Sequence, residues 1–196
     1  MKVFRKLYDW VLHWAHTPYA TPALILNSFS ESSFFPIPPD VLLIALSVSR
    51  RSKAVFYAFV TTVASVLGGI LGYYIGVALM EVIGWPIIKF YQKEALFHQL
   101  IELFRENSFW AVLIAALTPI PYKIFTIAAG ASESLFGQFV LASVLGRAAR
   151  FMALGILIYF FGEHIKVFIE KYFNLLSILF VVLLIVGVIL MKFMLH

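Results

Sequence analysis

Phe35-Pro36-Ile37-Pro38-Pro39-Asp40 and Thr118-Pro119-Ile120-Pro121-Tyr122-Lys123 are the two stretches whose reading decides the fold of this chain. Each interrupts an apolar run, the first within 23–49 and the second within 109–131. Such a density of proline cannot continue a helix, because each ring removes an N–H donor and collides with the preceding turn. About a dozen residues flank each break, roughly 18 Å of helix, too short for either half to cross a bilayer alone. Broken backbone at membrane depth is tolerated only where protein buries it or a watery cavity meets it. Each stretch therefore predicts a re-entrant helical hairpin, with Pro36, Pro38 and Pro39 at one tip and Pro119 and Pro121 at the other.

Composition makes lipid the solvent. Of 196 residues, 62% are hydrophobic and 13% are charged, against about 25% charged in a soluble domain. The runs 54–80, 135–162 and 172–195 are each long enough to be a transmembrane helix. Residues 1–16 predict an amphipathic helix in the interface plane, with Leu7, Trp10, Val11 and Trp14 on one face and basic residues around them. Residues 84–107 mix charges with large apolar groups and read as interfacial helices. No signal-peptide pattern is present, so the N-terminus is expected to be retained. The chain holds no cysteine, which excludes thiolate metal sites and thiol catalysis. The net charge of +5 fits topology and anionic lipid better than nucleic acid.

The two breaks belong to a repeat. At an offset of 83 residues, Pro36, Ile37, Pro38, Ile44, Ala45 and Ser49 meet Pro119, Ile120, Pro121, Ile127, Ala128 and Ser132, six identities in 15 positions. Gly72 meets Gly155 at the same offset. The repeating unit is a hairpin followed by a span. A hairpin leaves the chain on its starting side and one span carries it across, so the second copy enters from the opposite face. That is an inverted-topology repeat, whose ligand site lies between the copies near the midplane. The expected fold is all-α and integral to the membrane. It consists of two such units, the N-terminal amphipathic helix and an extra C-terminal transmembrane helix. Asp40 and Lys123 hold equivalent tip positions and are expected to lie close together, tip facing tip. With the N-terminus inside, eight positive charges are cytoplasmic and four are outside, which favours that orientation.

Five ionisable residues fall within the membrane segments: Glu31, Asp40, Lys123, Arg147 and Arg150. A charge at the bilayer centre costs at least about 2.5–3.5 kcal/mol, so such residues mark function or a specific partner. Arg147 and Arg150 are three apart and share a helix face. Three cations oppose two carboxylates, and a phosphate headgroup would balance the excess, arginine binding it with paired N–H donors. Glu31 or Asp40 would take a coupling proton, since desolvation favours the neutral acid. His13 and His16 have metal-pair spacing but read as interfacial histidines, and no metal or cofactor is expected. Gly68, Gly72 and Gly76 read as close helix packing, and Tyr73, Tyr74, Tyr122 and Tyr159 as belt or packing residues.

Glu31-Ser-Ser-Phe-Phe-Pro-Ile-Pro-Pro-Asp40, Thr118-Pro-Ile-Pro-Tyr-Lys123, Ala128-Ala-Gly-Ala131 and Gly146-Arg-Ala-Ala-Arg-Phe151 together resemble the DedA family, also called the SNARE-associated Golgi or VTT-domain family. The branch they resemble is the YqaA-like bacterial one. The resemblance spans roughly residues 20–165. It implies two facing re-entrant hairpins and movement of lipid between leaflets: undecaprenyl phosphate recycling and proton-dependent homeostasis in bacteria, phospholipid scrambling in eukaryotes. It assigns an essential acidic pair to Glu31 and Asp40 and a basic residue to Lys123. Better-known members carry arginine at that basic position and another arginine slightly earlier, where this chain has apolar residues around Leu117. Arg147 and Arg150 are expected to supply the missing cation.

These readings converge on a multi-pass protein of the bacterial inner membrane that acts as a lipid flippase or scramblase. Its partners would be an anionic lipid phosphate and, for coupling, protons. A small-solute or cation permease fits the same tip-to-tip site, and a membrane-homeostasis scaffold without transport is a further alternative. An enzyme is not expected, since no metalloprotease or serine-hydrolase motif is present.

Overall fold

The computed structural model describes residues 19–34, 38–90, 94–118 and 120–162. All regular structure among them is helical. The predicted amphipathic helix 1–16 and the predicted span 172–195 lie outside the described residues, as do Pro36 and Pro119.

Helix α1 runs Ala20–Ser33 and helix α2 Pro39–Ser49. The break between them ends on Pro38, the N-cap of α2, whose extended φ of −62° and ψ of 134° suit its ring. Pro39 occupies the first helical position, where a missing N–H costs nothing. After a 3-10 turn over Arg51–Lys53, helix α3 spans Ala54–Leu79 and leads into a π-helical turn, Met80–Gly84. Helix α4 is short, Trp85–Phe90. Helix α5 runs unbroken from Glu94 to Leu117. It passes through Asn107, where the charged-to-apolar change in composition suggests a boundary. With no glycine or proline between Glu94 and Leu117, nothing stops it. After the second break, Pro121 caps helix α6, Tyr122–Ala131, in the same extended conformation as Pro38. Helix α7 is Phe136–Gly162.

Among the described residues, two helices are long and apolar enough to cross a membrane: α3 with its flanking turns, Arg51–Val82, and α7. They run antiparallel. The start of α3 meets the end of α7 where Arg51 donates from Nε to the Tyr159 carbonyl at 2.5 Å and from Nη2 to that of Phe160 at 2.8 Å. The far end of α3 meets the turn before α7 where the Tyr73 hydroxyl donates to the Ser134 carbonyl at 2.7 Å.

Helix α3 is the centre of the structure, and α1 and α6 both pack against its glycine face. Small residues permit this. A Cβ at Gly68 would overlap the Phe29 carbonyl of α1, and one at Gly76 would overlap the Ile127 carbonyl of α6. Polar groups also face inward: Ser32 and Ser65 share a 2.7 Å hydrogen bond, and Ser33 donates to the Gly68 carbonyl at 2.7 Å. The outward face of α3 carries Phe56, Phe59, Val63, Leu67, Leu71 and Tyr74, all exposed. Large apolar groups outside and glycine, serine and threonine inside invert the pattern of a water-soluble helix. Lipid is the solvent in which that arrangement is stable, since helices there associate by close packing and hydrogen bonds.

Candidate functional site: an arginine pair between two helix breaks

The site forms where the two breaks meet the middle of α7. Glu31 occupies the last turn of α1 and is buried. Asp40 is the second residue of α2 and Lys123 the second residue of α6, both half-buried. Arg147 and Arg150 project from one face of α7, 11 and 14 residues after its start at Phe136.

Both arginines reach the first break. Arg147 Nη2 lies 3.5 Å from Glu31 Oε2. Arg150 places Nε at 3.0 Å and Nη2 at 2.9 Å from Asp40 Oδ1. A third N–H of Arg150, on Nη1, donates to the Thr118 carbonyl at the mouth of the second break. One side chain thus joins the two breaks. Sequence symmetry sets Asp40 opposite Lys123, but the ion pair that Asp40 makes here is with Arg150. A guanidinium has five N–H donors in a planar fork, enough to engage both a carboxylate and a backbone carbonyl.

Arg147 is only 2% exposed. Its guanidinium carbon sits 3.9 Å from the centroid of the Tyr122 ring and 5.5 Å from that of Phe151. Its Nε has no hydrogen-bond partner among the described residues. Among the described residues, the cation is therefore held by two aromatic faces and one long ion pair, with one donor unspent. Cation–π attraction strengthens when water is absent.

The five charges form one electrostatic group: Arg147, Lys123, Asp40 and Arg150 all act on Glu31 through space. Asp40 in the first turn of α2 agrees with the positive N-terminal end of that helix. Lys123 in the first turn of α6 opposes it. Its positive charge is felt by Glu31 across the breaks.

Serines and threonines hold this arrangement in register. Ser32 Oγ lies 3.4 Å from Glu31 Oε2, while Thr126 Oγ1 donates to the Lys123 carbonyl at 2.9 Å and reaches the Ser32 carbonyl at 3.4 Å. Sequence reasoning singles out all five charged residues but misses four contributors. Tyr122 reads as packing, although its position one residue before Lys123, behind Pro121, puts it at the break. The Thr118 carbonyl has no side-chain signal. Ser32 and Thr126 carry only the weak signal of hydroxyls in an apolar run.

A helical protein with an inside-out surface and a buried cluster of ion pairs at two helix breaks is a membrane protein with a polar centre. Comparison with known proteins gives it a family. The family model for the VTT domain matches residues 37–161, from the first break to the end of α7. The chain is 35% identical over 194 residues to an uncharacterized protein of Haemophilus influenzae, covering 98% of this chain and all of that one. It is 37% identical over 153 residues to the uncharacterized HI0703 homolog of Histophilus somni, covering 78% of this chain and 79% of that one. An uncharacterized protein of Methanocaldococcus jannaschii is 26% identical over 133 residues, covering 67% of this chain and 79% of that one. No solved structure matches the chain. The chain belongs to the VTT-domain, or DedA, family of membrane proteins. Asp40, Lys123, Arg147 and Arg150 fall inside the matched region and Glu31 just before it.

Proposed function

We propose that this protein moves an anionic lipid phosphate, such as undecaprenyl phosphate or a phospholipid, between the leaflets of the bacterial inner membrane. It is read as a multi-pass transporter with two re-entrant hairpins in inverted repeat, not as an enzyme. The observation that carries the reading is Arg150, which binds Asp40 of one break and the Thr118 carbonyl of the other, one helical turn from the buried Arg147. Arginines held by weak or replaceable partners are suited to exchange those partners for phosphate oxygens, which accept the same N–H geometry. The headgroup would cross between the breaks and pass from the carboxylates to Lys123, Arg147 and Arg150. Protonation of Glu31 or Asp40 would release the arginine it holds and so couple the step to protons.

Leaflet exchange in reconstituted phosphatidylcholine vesicles tests this. Wild-type protein should speed exchange of a trace anionic lipid, and Asp40→Asn, Arg147→Ala and Arg150→Gln should lose it while still running as monodisperse protein in detergent. Normal exchange in all three variants would refute the site assignment. A rate that responds to an imposed pH gradient indicates a proton-coupled flippase, and an indifferent one a scramblase. Mass spectrometry of co-purified lipid supplies the second check: the wild type should retain an anionic lipid that Arg147→Ala loses.

A further inference from the structure

Charges explain how the breaks hold a headgroup but not how they accommodate its hydrocarbon chain. On α3 the exposed apolar residues lie on the face opposite the polar ones. At the breaks the two kinds of residue are neighbours in the chain. Val41 follows Asp40, Ile124 follows Lys123, and Leu117 precedes the Thr118 carbonyl that Arg150 binds. Phe34 stands three residues after Glu31, at the point where the chain leaves helix α1 with φ −147° and ψ −17°. All four side chains are between 43% and 64% exposed.

They are also pairs. At the 83-residue offset that relates the breaks, Phe34 meets Leu117 and Val41 meets Ile124. The repeat thus places a large apolar side chain at the same two positions of each break, one before the prolines and one after the charged residue that opens the next helix. Asp40 and Lys123, by contrast, differ at their shared position. Apolar character is common to both copies where charge is not, as a ligand tail sliding past both copies would require.

We propose that Phe34, Val41, Leu117 and Ile124 hold the hydrocarbon chain of a lipid whose anionic headgroup lies among Lys123, Arg147 and Arg150. The inference rests on the lipid-transport reading above and narrows it: the ligand is an amphiphile bound at both ends, and its chain contributes to recognition. Lys123, Arg147 and Arg150 suit the anionic end, and an exposed apolar residue next in the chain to Asp40, Lys123 and Thr118 suits the junction between headgroup and chain. Soluble anions of the same headgroup chemistry would be poor ligands, because the apolar contacts would remain unfilled.

The test uses the full chain in phosphatidylcholine vesicles containing a trace of fluorescent acyl-labelled phosphatidic acid, with external dithionite reporting leaflet exchange. The pair Val41→Ser/Ile124→Ser should slow exchange about tenfold, since each substitution removes apolar contact worth roughly a severalfold change in affinity. Phe59→Ser/Phe160→Ser, on exposed faces away from the breaks, should exchange at the wild-type rate. Glycerol phosphate should compete far less well than phosphatidic acid. If wild-type protein moves the probe and Val41→Ser/Ile124→Ser moves it equally fast, the tail contact is overturned while the transport reading stands. Competition by glycerol phosphate as effective as that by phosphatidic acid also overturns it. If wild-type protein does not move the probe, both readings fall together.

Discussion

Arg147 is the residue on which the site depends most. Buried in an apolar core, a guanidinium loses its hydration and recovers part of it from Glu31 and from the faces of Tyr122 and Phe151. Removing it leaves Glu31 as an uncompensated buried charge, so Arg147→Ala should destabilise the protein by about 3–5 kcal/mol. The paired change Arg147→Met/Glu31→Gln removes both charges and should restore most of that loss. Thermal unfolding in detergent compares the two, and an equal loss in both would mean that Glu31 is not the partner that matters. The Tyr122 ring lies against the Arg147 guanidinium, and its buried hydroxyl has no hydrogen-bond partner among the described residues. Tyr122→Phe should therefore keep lipid exchange near the wild-type rate, while Tyr122→Leu should lower it several-fold with Arg147 still in place. The charged residues themselves were legible in the sequence, because ionisable groups in apolar runs are expensive and therefore conspicuous. Their pairing was not. Which arginine meets which carboxylate depends on the rotation of α7 against α1 and α2, and no local pattern encodes that.

Elements show the same division. Proline marks both breaks without ambiguity, because its effect is local and steric. The course of α5 was harder to see: the fall in charge after Asn107 resembles a boundary, yet a helix continues wherever no residue stops it. The glycine spacing of α3 announced close packing without naming the partners, which prove to be α1 and α6. Those contacts can be weighed one by one. Gly130 of α6 lies against the backbone of Tyr73, where a Cβ would overlap the carbonyl, and Gly68 meets Phe29 in the same way. Backbone cannot yield as a flexible side chain does, so Gly130→Ala and Gly68→Ala should each cost about 1–3 kcal/mol through overpacking. Gly137 in the first turn of α7 has nothing within 4 Å of its added Cβ. Gly137→Ala should be neutral or stabilising by up to about 1 kcal/mol, through helix propensity alone. A loss at Gly137 equal to that at Gly68 would show that glycine acts here by some means other than close approach.

At the scale of the whole molecule, the repeat makes a claim about sidedness that the antiparallel spans turn into a measurement. Ser52 lies in the exposed turn before α3, and Glu133 in the exposed turn before α7, at a positive φ of 51°. Arg51, beside Ser52, binds the end of α7, whereas Ser134, beside Glu133, accepts the hydroxyl of Tyr73. Nineteen residues of α3 separate Ala54 from Tyr73, a rise of about 28 Å, close to the thickness of a hydrocarbon core. If each hairpin returns to the face it entered from, the two turns emerge on opposite sides of the membrane. Arg50, Arg51 and Lys53 then put the Ser52 turn in the cytoplasm. The turn at Glu133, where Arg105 holds the Ser132 carbonyl at 3.1 Å, would then face out. The chain has no cysteine of its own, so single replacements report cleanly. In intact spheroplasts a membrane-impermeant maleimide should label Glu133→Cys and spare Ser52→Cys until the membrane is permeabilised. Labelling of Ser52→Cys alone would invert the orientation and leave the repeat intact. Labelling of both from outside would put the two turns on one face, and then α3 could not be a membrane span between two oppositely inserted hairpins.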